Sequence, residues 1–289
     1  MAKKIRFGWF FAALILLSLI SAPWTLNAAA PQKPAIVLAA FGTSTAAFKT
    51  YHHFELQVKK RFPDHEIRWA FTSRKVRHKL AREKGQQLKD LPTTLRDLKA
   101  AGFSRVAVQS LHIVPGEEWD KKVFQESRKI PGLKVVLGKP LLSDQKDQEA
   151  VLLALARTFP KDLKKTAVVL VGHGSPSAVG EKAYLEFARL LRSRYHNVFL
   201  GTVEGKPTKK EVMEAVKKSK VSTVVLMPFL FVAGEHVAND ILGDAPESWK
   251  SEILKQKAYQ IKGITQGLGY QEGIVKIFLN HLSLALDSF

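Results

Sequence analysis

Short runs of apolar residues recur along the chain, and polar segments with helical spacing separate them. In the first half, the apolar runs lie at 34–41, 66–71, 105–113 and 134–137, and the helical patterns lie at 45–61, 75–89, 92–101 and 144–158. An apolar run without alternation is typical of a parallel strand that helices cover on both faces. Strands and helices that alternate through short connections therefore predict an α/β fold with doubly wound parallel sheets.

The second half of the chain repeats the order of the first. Three pairs of segments match in sequence at strand ends, namely 35–44 with 167–175, 67–74 with 197–204, and 105–118 with 223–236. Generic α/β patterns can match by chance, but three matches in the same order favour a duplication. We therefore predict two similar α/β lobes whose parallel sheets face a central cleft.

The first 30 residues follow a different pattern. Basic residues at Lys3, Lys4 and Arg6 precede an apolar run over 9–20, and small residues follow at 28–30. This is the layout of a secretory signal peptide, so we expect export, cleavage near 28–30 and a periplasmic location. An uncleaved anchor is the alternative. The apolar run is short for a span that needs about 20 residues, and we therefore expect no stable membrane anchor.

The chain is long enough for two domains, each with its own core, because it has 289 residues and a globular composition. The polar connection at 160–165 marks the boundary between them. We assign a signal peptide to 1–30, an N-terminal α/β lobe to 31–163 and a C-terminal α/β lobe to 164–289.

The strongest candidate chemistry lies where the buried strand within 167–175 runs into His173. In open α/β sheets, ligands bind at the carboxyl edge of the strands. Glu204 and His236 follow the next two strand-like runs. Parallel strands lie about 4.8 Å apart, so residues at their ends meet at one edge of the sheet. We therefore expect His173, Glu204 and His236 to form a metal site in the C-terminal lobe.

The residue types narrow the choice of metal. The chain has no cysteine, so nitrogen and oxygen must hold any ion. Two imidazoles and one carboxylate suit a borderline divalent ion such as Co²⁺, Ni²⁺, Fe²⁺ or Zn²⁺, and three protein ligands leave positions open for a substrate. The matching positions of the first lobe hold Phe41, Arg74 and Glu118, which cannot form the same site.

Other candidate residues surround this site. His112 lies within the apolar run 105–113 and is expected either to line the pocket or to pack in the core. The basic run 74–79 begins with Arg74 at a strand end, and we favour an anion-facing rim over a solvated helix face. Glu235, beside His236, either orients a ligand or is simply solvated, and we favour the solvated interpretation.

The formal net charge of +19 indicates an anionic partner. We expect no nucleic acid, because the basic residues are scattered without interleaved aromatic residues and because export would remove that partner.

At these residues the chain resembles the anaerobic sirohydrochlorin cobaltochelatases, which form part of the class II chelatase group with ferrochelatase. The resemblance rests on Gly-His-Gly-Ser at 172–175, Thr-Val-Glu-Gly-Lys-Pro at 202–207, Gly-Glu-His-Val-Ala-Asn-Asp-Ile at 234–241, and Gln-Ser-Leu-His-Ile-Val-Pro-Gly-Glu at 109–117. It covers nearly all of the chain after the leader and implies two chelatase-type lobes with a tetrapyrrole in the cleft. The export signal departs from the family, because a biosynthetic chelatase ordinarily works in the cytoplasm.

The resemblance implies an enzyme, a lyase that inserts a divalent metal into sirohydrochlorin, with Co²⁺ as the first choice and Fe²⁺ or Ni²⁺ as alternatives. It assigns His173, Glu204 and His236 as metal ligands. A neutral imidazole accepts protons near pH 7, and His173 is our first candidate for taking them from the pyrrole N–H groups. His112 and Arg74 are candidates for binding the tetrapyrrole.

Two further expectations concern partners. We expect a homo-oligomer, and the sequence leaves open whether a spare histidine such as His112 or His53 binds a haem. The alternative function is a periplasmic binding or transport protein for a metal or a tetrapyrrole, because two exported lobes around a His/Glu/His site fit that description as well.

Overall fold

The computed structural model describes residues 32–289 and shows two parallel sheets. The strands of the first sheet are β1 (Ala35–Ala40), β2 (Ile67–Phe71), β3 (Arg105–Ser110) and β4 (Lys134–Gly138). Its helices are α1 (Lys49–Arg61), α2 (Arg74–Lys84), α3 (Leu91–Ala100), α4 (Glu117–Trp119), α5 (Gln125–Ser127) and α6 (Gln145–Ala156), with a π-helical turn at Asp120–Phe124 between α4 and α5. The strands are all parallel and lie in the order β2-β1-β3-β4.

The second half forms a sheet of the same design. Its strands are β5 (Thr166–Gly172), β6 (Val198–Thr202), β7 (Thr223–Pro228) and β8 (Gln260–Gly263). Its helices are α7 (Ala178–Arg194), α8 (Lys209–Lys218), α9 (Trp249–Gln256) and α10 (Glu272–Leu286), with a π-helical turn at Val237–Ile241. The order β6-β5-β7-β8 repeats that of the first sheet, and every pair is parallel. The prediction of an α/β fold with two similar parallel sheets is confirmed.

The register of the strands brings the segments that follow them to common edges. In the second sheet, β5 pairs Gly172 with Thr202 on β6 and Val171 with Pro228 on β7. In the first sheet, β1 pairs Ala40 with Phe71 on β2 and Ala39 with Ser110 on β3. The loops after these strands therefore start at two carboxyl edges, where ligands bind in open α/β sheets.

The sequence placed the ends of two elements too late. The predicted strand over 105–113 stops at Ser110, which pairs with Ala39 near the end of β1. The predicted helix over 75–89 stops at Lys84, because Gly85 adopts a left-handed conformation with φ of 63° and caps the helix.

One hydrophobic core joins buried side chains of both sheets. Ile36 and Leu38 on β1 belong to the same cluster as Val168 and Leu170 on β5. The last helix, α10, which the sequence assigns to the second lobe, packs against β3, β4 and α6 of the first. The strands of the two sheets fall on either side of the boundary predicted at 163/164, and residues 33–289 form one compact unit. The division into two lobes at this residue stays a prediction.

The leader assigned to 1–30 lies outside the residues that the structure describes. Within residues 32–289, none of the helices combines the length and the apolar character needed to span a bilayer.

A cluster of ionisable side chains, two of them buried, connects α10 to α6. His281 is 4% exposed, and its Nε2 lies 2.9 Å from Oδ1 of Asp147, while its Nδ1 lies 3.1 Å from the carbonyl oxygen of Lys139. The Lys139 ammonium lies 2.9 Å from the other carboxylate oxygen of Asp147. The Asp147 carboxylate is therefore the acceptor that joins a side chain of α10 to the loop before α6.

We expect Asp147→Ala to lower the free energy of unfolding by about 3 kcal/mol, because it leaves the buried His281 without its carboxylate, whereas Lys139 keeps Asp144 at 2.6 Å. Urea denaturation would measure the loss as a lower midpoint. Asp64→Ala is the matched control, because Asp64 forms an exposed ion pair with Lys33. This control is expected to change the stability by less than about 1 kcal/mol. Equal midpoints for the two variants would contradict the role given to the cluster.

Candidate functional site

A cavity of about 410 Å³ lies between the carboxyl edges of the two sheets. The loops after β1 and β3 line it from the first half, and the loops after β5, β6 and β7 line it from the second. His173, Glu204, His236 and His112 all line this cavity. The structure therefore brings these four residues of the sequence prediction to one place, although they are far apart along the chain.

His173 and His236 are in direct contact inside the cavity. Their ring centroids lie 4.9 Å apart, and the ring planes meet edge to face at 81°. Phe41, at the matching position of the first half, faces His173 with ring centroids 6.5 Å apart and is 44% exposed. The cavity thus has two imidazoles on one wall and an aromatic ring beside them.

The backbone around His173 is fixed by its neighbour on the next strand. The carbonyl oxygen of His173 accepts a hydrogen bond of 2.9 Å from the N–H of Glu204. Gly174 has φ of 98°, and a Cβ at this position would overlap the carbonyl oxygen of Glu204. Only glycine allows the two segments to approach so closely at this φ. This contact explains why a glycine follows the histidine.

Tyr184 on α7 forms hydrogen bonds with the same segment, a contact that the sequence did not predict. Burial raises the pKa of Tyr184 to about 12, and its hydroxyl oxygen accepts hydrogen bonds from the N–H groups of Gly174 and His173. In the first half, Tyr51 on α1 accepts a hydrogen bond of 3.1 Å from the N–H of Gly42. The repeat could have revealed this pair, because each tyrosine follows its glycine at a matching place.

Asp240 orients His236. Nδ1 of His236 lies 2.6 Å from Oδ2 of Asp240, one turn later in the segment that contains the π-helical turn Val237–Ile241. Because this contact occupies Nδ1, it leaves Nε2 free to bind a ligand. A carboxylate behind a histidine fixes its tautomer and makes it a better metal ligand. Asp240 lies within the motif 234–241, but nothing in its spacing marked it as a partner of His236.

We expect Asp240→Ala to weaken the binding of Co²⁺ by roughly 10-fold to 100-fold, because the imidazole of His236 loses its orienting partner. Isothermal titration calorimetry with Co²⁺ alone would measure the change. Asp244→Ala removes a nearby acidic residue that pairs with Lys250 instead, and it should leave the affinity unchanged. An Asp240→Ala affinity equal to that of the control would contradict the orienting role.

Glu204 lines the cavity but is exposed, and its side chain does not join the two imidazoles in a ready-made cluster. Among residues 32–289, no group of three or more His, Asp or Glu side chains is arranged to hold a metal ion. The backbone contact with His173 nevertheless keeps Glu204 next to that residue in space. The three-ligand set of His173, Glu204 and His236 stays a prediction.

His112 lies after the end of β3, where it lines the cavity and is partly buried. Burial lowers the pKa of His112 to about 4, so its imidazole is neutral near pH 7. Nδ1 lies 2.9 Å from Oγ of Ser110, and Nε2 lies 3.4 Å from Oγ1 of Thr72. The sequence left pocket lining and core packing open, and the structure places His112 at the cavity wall. Its role towards a tetrapyrrole stays a prediction.

The basic run 74–79 forms most of the first two turns of α2. Arg74 is exposed at the first residue of this helix and is not among the residues that line the cavity, so its binding role stays a prediction. Val76 does line the cavity. Lys79, three residues later, places its ammonium 2.7 Å from the carboxylate of Glu235. Lys79 lies on the same face of α2 as Val76, so Lys79, and not Arg74, is a basic side chain beside the cavity.

Glu235 connects the loop of His236 to the first half of the molecule. Its Oε1 accepts hydrogen bonds from Nζ of Lys79 at 2.7 Å and from Oγ of Ser44 at 3.2 Å. The hydrogen bond from Lys79 lowers the pKa of the Glu235 carboxyl, and the same contact raises the pKa of the Lys79 ammonium. Glu235 is thus an ionised, paired residue and not simply a solvated one.

Comparison with known proteins shows the family of the chain. Residues 34–287 match the family model described as Cobalt chelatase (CbiK). The chain is 35% identical over 264 residues to "Sirohydrochlorin cobaltochelatase CbiKC" of Nitratidesulfovibrio vulgaris, with 89% of this chain and 92% of that protein covered. It is 31% identical over 259 residues to the sirohydrochlorin cobaltochelatase of Salmonella typhimurium, with 89% and 97% covered. The resemblance inferred from the motifs is confirmed.

Solved structures show the same fold. SirB from Bacillus subtilis with Fe³⁺ superposes with a TM-score of 0.60 at 19% identity, covering 89% of this chain and 97% of that one. The sirohydrochlorin chelatase SirB of the spizizenii subspecies, in complex with cobalt, superposes with a TM-score of 0.59 at 17% identity, covering 89% and 96%. At these identities the likeness concerns the fold, and it agrees with the two parallel sheets described above.

Proposed function

The chain belongs to the cobalt chelatase (CbiK) family, and from this we propose that it catalyses the insertion of a divalent metal ion into sirohydrochlorin. The observation that carries the proposal is the edge-to-face pair of His173 and His236 on the wall of a cavity between two sheet edges. The relatives at 35% and 31% identity bear the name sirohydrochlorin cobaltochelatase and span nearly the whole chain. Fold, site and family thus point to the same reaction.

In this proposal the metal is a substrate, which must be held and then released. His236 and Glu204 hold the ion from one side, and His236 presents Nε2 because Asp240 occupies Nδ1. Two imidazoles and a carboxylate accept Co²⁺, Fe²⁺ or Ni²⁺. Relatives named as cobaltochelatases and one named as a ferrochelatase lie in the same group. We propose Co²⁺ as the first choice on the strength of the more similar relatives.

Insertion also requires the ring nitrogens to lose their protons. We propose that His173 accepts them, because its partly exposed imidazole lines the cavity, where it can contact both the macrocycle and water, and histidine is the side chain that most often acts as a general base. The hydrogen bonds from its own N–H and that of Gly174 to Tyr184 hold the segment that carries the imidazole. A rigid base is suited to a planar substrate that must be brought to it in one orientation.

The positive net charge of the chain is suited to an anionic substrate. Sirohydrochlorin bears carboxylate arms around its macrocycle. The net charge is +19 for the full chain, of which Lys3, Lys4 and Arg6 of the leader carry +3, and the remaining positive charge attracts such a polyanion and raises its rate of encounter. His112 and Arg74 are our candidates for contacts with the tetrapyrrole. We also propose that the protein is a homo-oligomer, which light scattering after size-exclusion chromatography would measure.

We propose that the protein is exported and works in the periplasm, since residues 1–30 have the layout of a signal peptide. Cell fractionation followed by sequencing of the mature amino terminus would test this. The expected result is a periplasmic protein that begins near residues 28–31. A cytoplasmic protein that retains residues 1–30 would contradict it.

The decisive experiment is turnover. Sirohydrochlorin is mixed with Co²⁺ and a substoichiometric amount of protein, and the absorbance change of the macrocycle is followed over time. We expect many molecules of product for each molecule of protein. A change that stops at one equivalent would contradict a chelatase and would favour the alternative, a periplasmic protein that binds a metal or a tetrapyrrole for transport.

A further inference from the structure

The ion pair between Lys79 and Glu235 lies where the two halves of the molecule meet at the cavity. Glu235 lines the cavity from the second half, and Ser44 and Val76 line it from the first. Lys79 lies one turn beyond Val76 on α2 and reaches Glu235 at 2.7 Å. The carboxylate of Glu235 is therefore the partner of the Lys79 ammonium at the edge of the cavity.

This ion pair is poorly suited to hold the fold together. The side chain of Lys79 is 38% exposed and that of Glu235 is 56% exposed. Exposed ion pairs contribute little to stability, because water solvates both partners when they separate. A pair of this kind can exchange its carboxylate for another at low cost.

The surroundings favour such an exchange. Lys84, on the same helix, directs its ammonium to the carbonyl oxygen of Ser44 at 2.9 Å, so a second basic side chain lies beside the first. The other polar contact of Glu235 is the hydroxyl of Ser44, which can donate to any carboxylate in that position. Lys79 and Ser44 thus form a pair of donors suited to a carboxylate, and in this structure the carboxylate of Glu235 accepts both hydrogen bonds.

We propose that Lys79 is a residue that binds a carboxylate of the substrate, and that Glu235 occupies it until a carboxylated macrocycle enters the cavity and displaces it. The inference rests on the proposed function, since it assumes a polycarboxylate substrate. Lys79 would change partners from Glu235 to a carboxylate arm of that substrate. It is a binding and positioning residue, and the metal and the ring protons are handled elsewhere in the cavity.

The exchange predicts opposite effects for the two partners. Lys79→Met should raise KM for sirohydrochlorin roughly 10-fold, because a hydrogen bond between charged groups is lost on binding. Glu235→Gln should lower KM roughly 3-fold, because the competing carboxylate is gone. Both variants should keep kcat close to the wild-type value, since the contact is made equally in the ground state and the transition state. Lys79→Arg should restore most of the binding.

A purely structural clasp predicts a different pattern. If the ion pair served only to hold the loop of His236 against α2, either substitution would break the same contact. Both variants would then shift KM in the same direction, and both would weaken the binding of Co²⁺ alone. Titration with Co²⁺ in the absence of tetrapyrrole is therefore measured for each variant, and we expect no change from the wild type.

The matched control is the exposed ion pair between Lys33 and Asp64, whose atoms lie 2.6 Å apart. Lys33 precedes β1 and so lies at the amino end of the sheet, whereas the cavity lies at the carboxyl edge. Lys33→Met and Asp64→Asn change the net charge by the same amounts as the two test variants. They are expected to leave KM unchanged, which separates a local contact from general attraction by the basic protein.

The affinity of each variant for metal-free sirohydrochlorin is measured as well, by the quenching of tryptophan fluorescence. Affinity shifts of opposite sign with no turnover would contradict the proposed function and support the exchange. Turnover by the wild type, with both variants shifted in the same direction or not at all, would overturn the exchange and leave the proposed function standing. If the wild type neither binds nor converts sirohydrochlorin, both are overturned.

Discussion

Replacing His173 with alanine is expected to abolish metal insertion while leaving the fold intact. His173 lines the cavity, contacts the ring of His236 and is our candidate for accepting the pyrrole protons. Removing a general base costs roughly 10²-fold to 10⁴-fold in rate. The initial rate of the absorbance change with sirohydrochlorin and Co²⁺ would measure it. Because His173 is partly exposed, the smaller side chain leaves no large cavity in a core.

The matched control is His196→Ala. His196 is an exposed histidine that lies just before β6, at the amino end of the sheet, whereas His173 follows β5 at the carboxyl end. Its removal should leave the rate unchanged. Wild-type activity in His173→Ala would exclude the proposed role of this residue. A His173→Ala protein with an unchanged midpoint of urea unfolding would show that the lost activity is not a loss of structure.

The positions of His173, His236 and Glu204 at one edge of a sheet could be predicted from sequence, because apolar runs locate parallel strands and strand ends share an edge. The same reasoning predicted the cleft and excluded the first half as an equivalent site, because its matching positions hold Phe41, Arg74 and Glu118. These inferences succeed because they depend only on the period of the pattern and on the spacing of strands. They need no knowledge of side-chain contacts.

Several side-chain contacts of the site were not predicted. The hydrogen bonds of Tyr184 to the His173 segment and the ion pair of Lys79 with Glu235 depend on how helices pack beside the sheets. The contact between Asp240 and His236 is local, but it requires the helical conformation that follows His236. A basic run such as 74–79 shows where charge is concentrated, but only the helix direction shows which side chain reaches the cavity.

The packing of α10 also could not be predicted from the sequence. The internal repeat assigns α10 to the second half, because it follows β8 in the chain. The helix instead packs against β3, β4 and α6, where His281 contacts Asp147. A repeat predicts which elements exist and in what order. It does not predict against which sheet the last helix packs.

Replacing Gly174 with alanine is expected to damage both stability and activity. The residue has φ of 98°, and a left-handed conformation costs an alanine roughly 1–2 kcal/mol. The added methyl group would also overlap the carbonyl oxygen of Glu204, which costs roughly a further 1–3 kcal/mol through displacement of the backbone. The segments of His173 and Glu204 must then separate. We therefore expect a lower midpoint of urea unfolding together with weaker binding of Co²⁺ and loss of metal insertion.

Gly102→Ala separates the two causes. Gly102 has φ of 90°, close to that of Gly174, but a Cβ at Gly102 would meet nothing within 4 Å. This control should lose roughly 1–2 kcal/mol of stability and keep its affinity for Co²⁺. If the two variants lose equal stability, and Gly174→Ala still binds Co²⁺ and inserts it, then the close approach of Gly174 to Glu204 does not position the site. A larger loss of stability for Gly174→Ala than for Gly102→Ala, together with loss of Co²⁺ binding, is the expected result. It would show that the packing of the Gly174 backbone against the Glu204 backbone sets the position of the His173 imidazole.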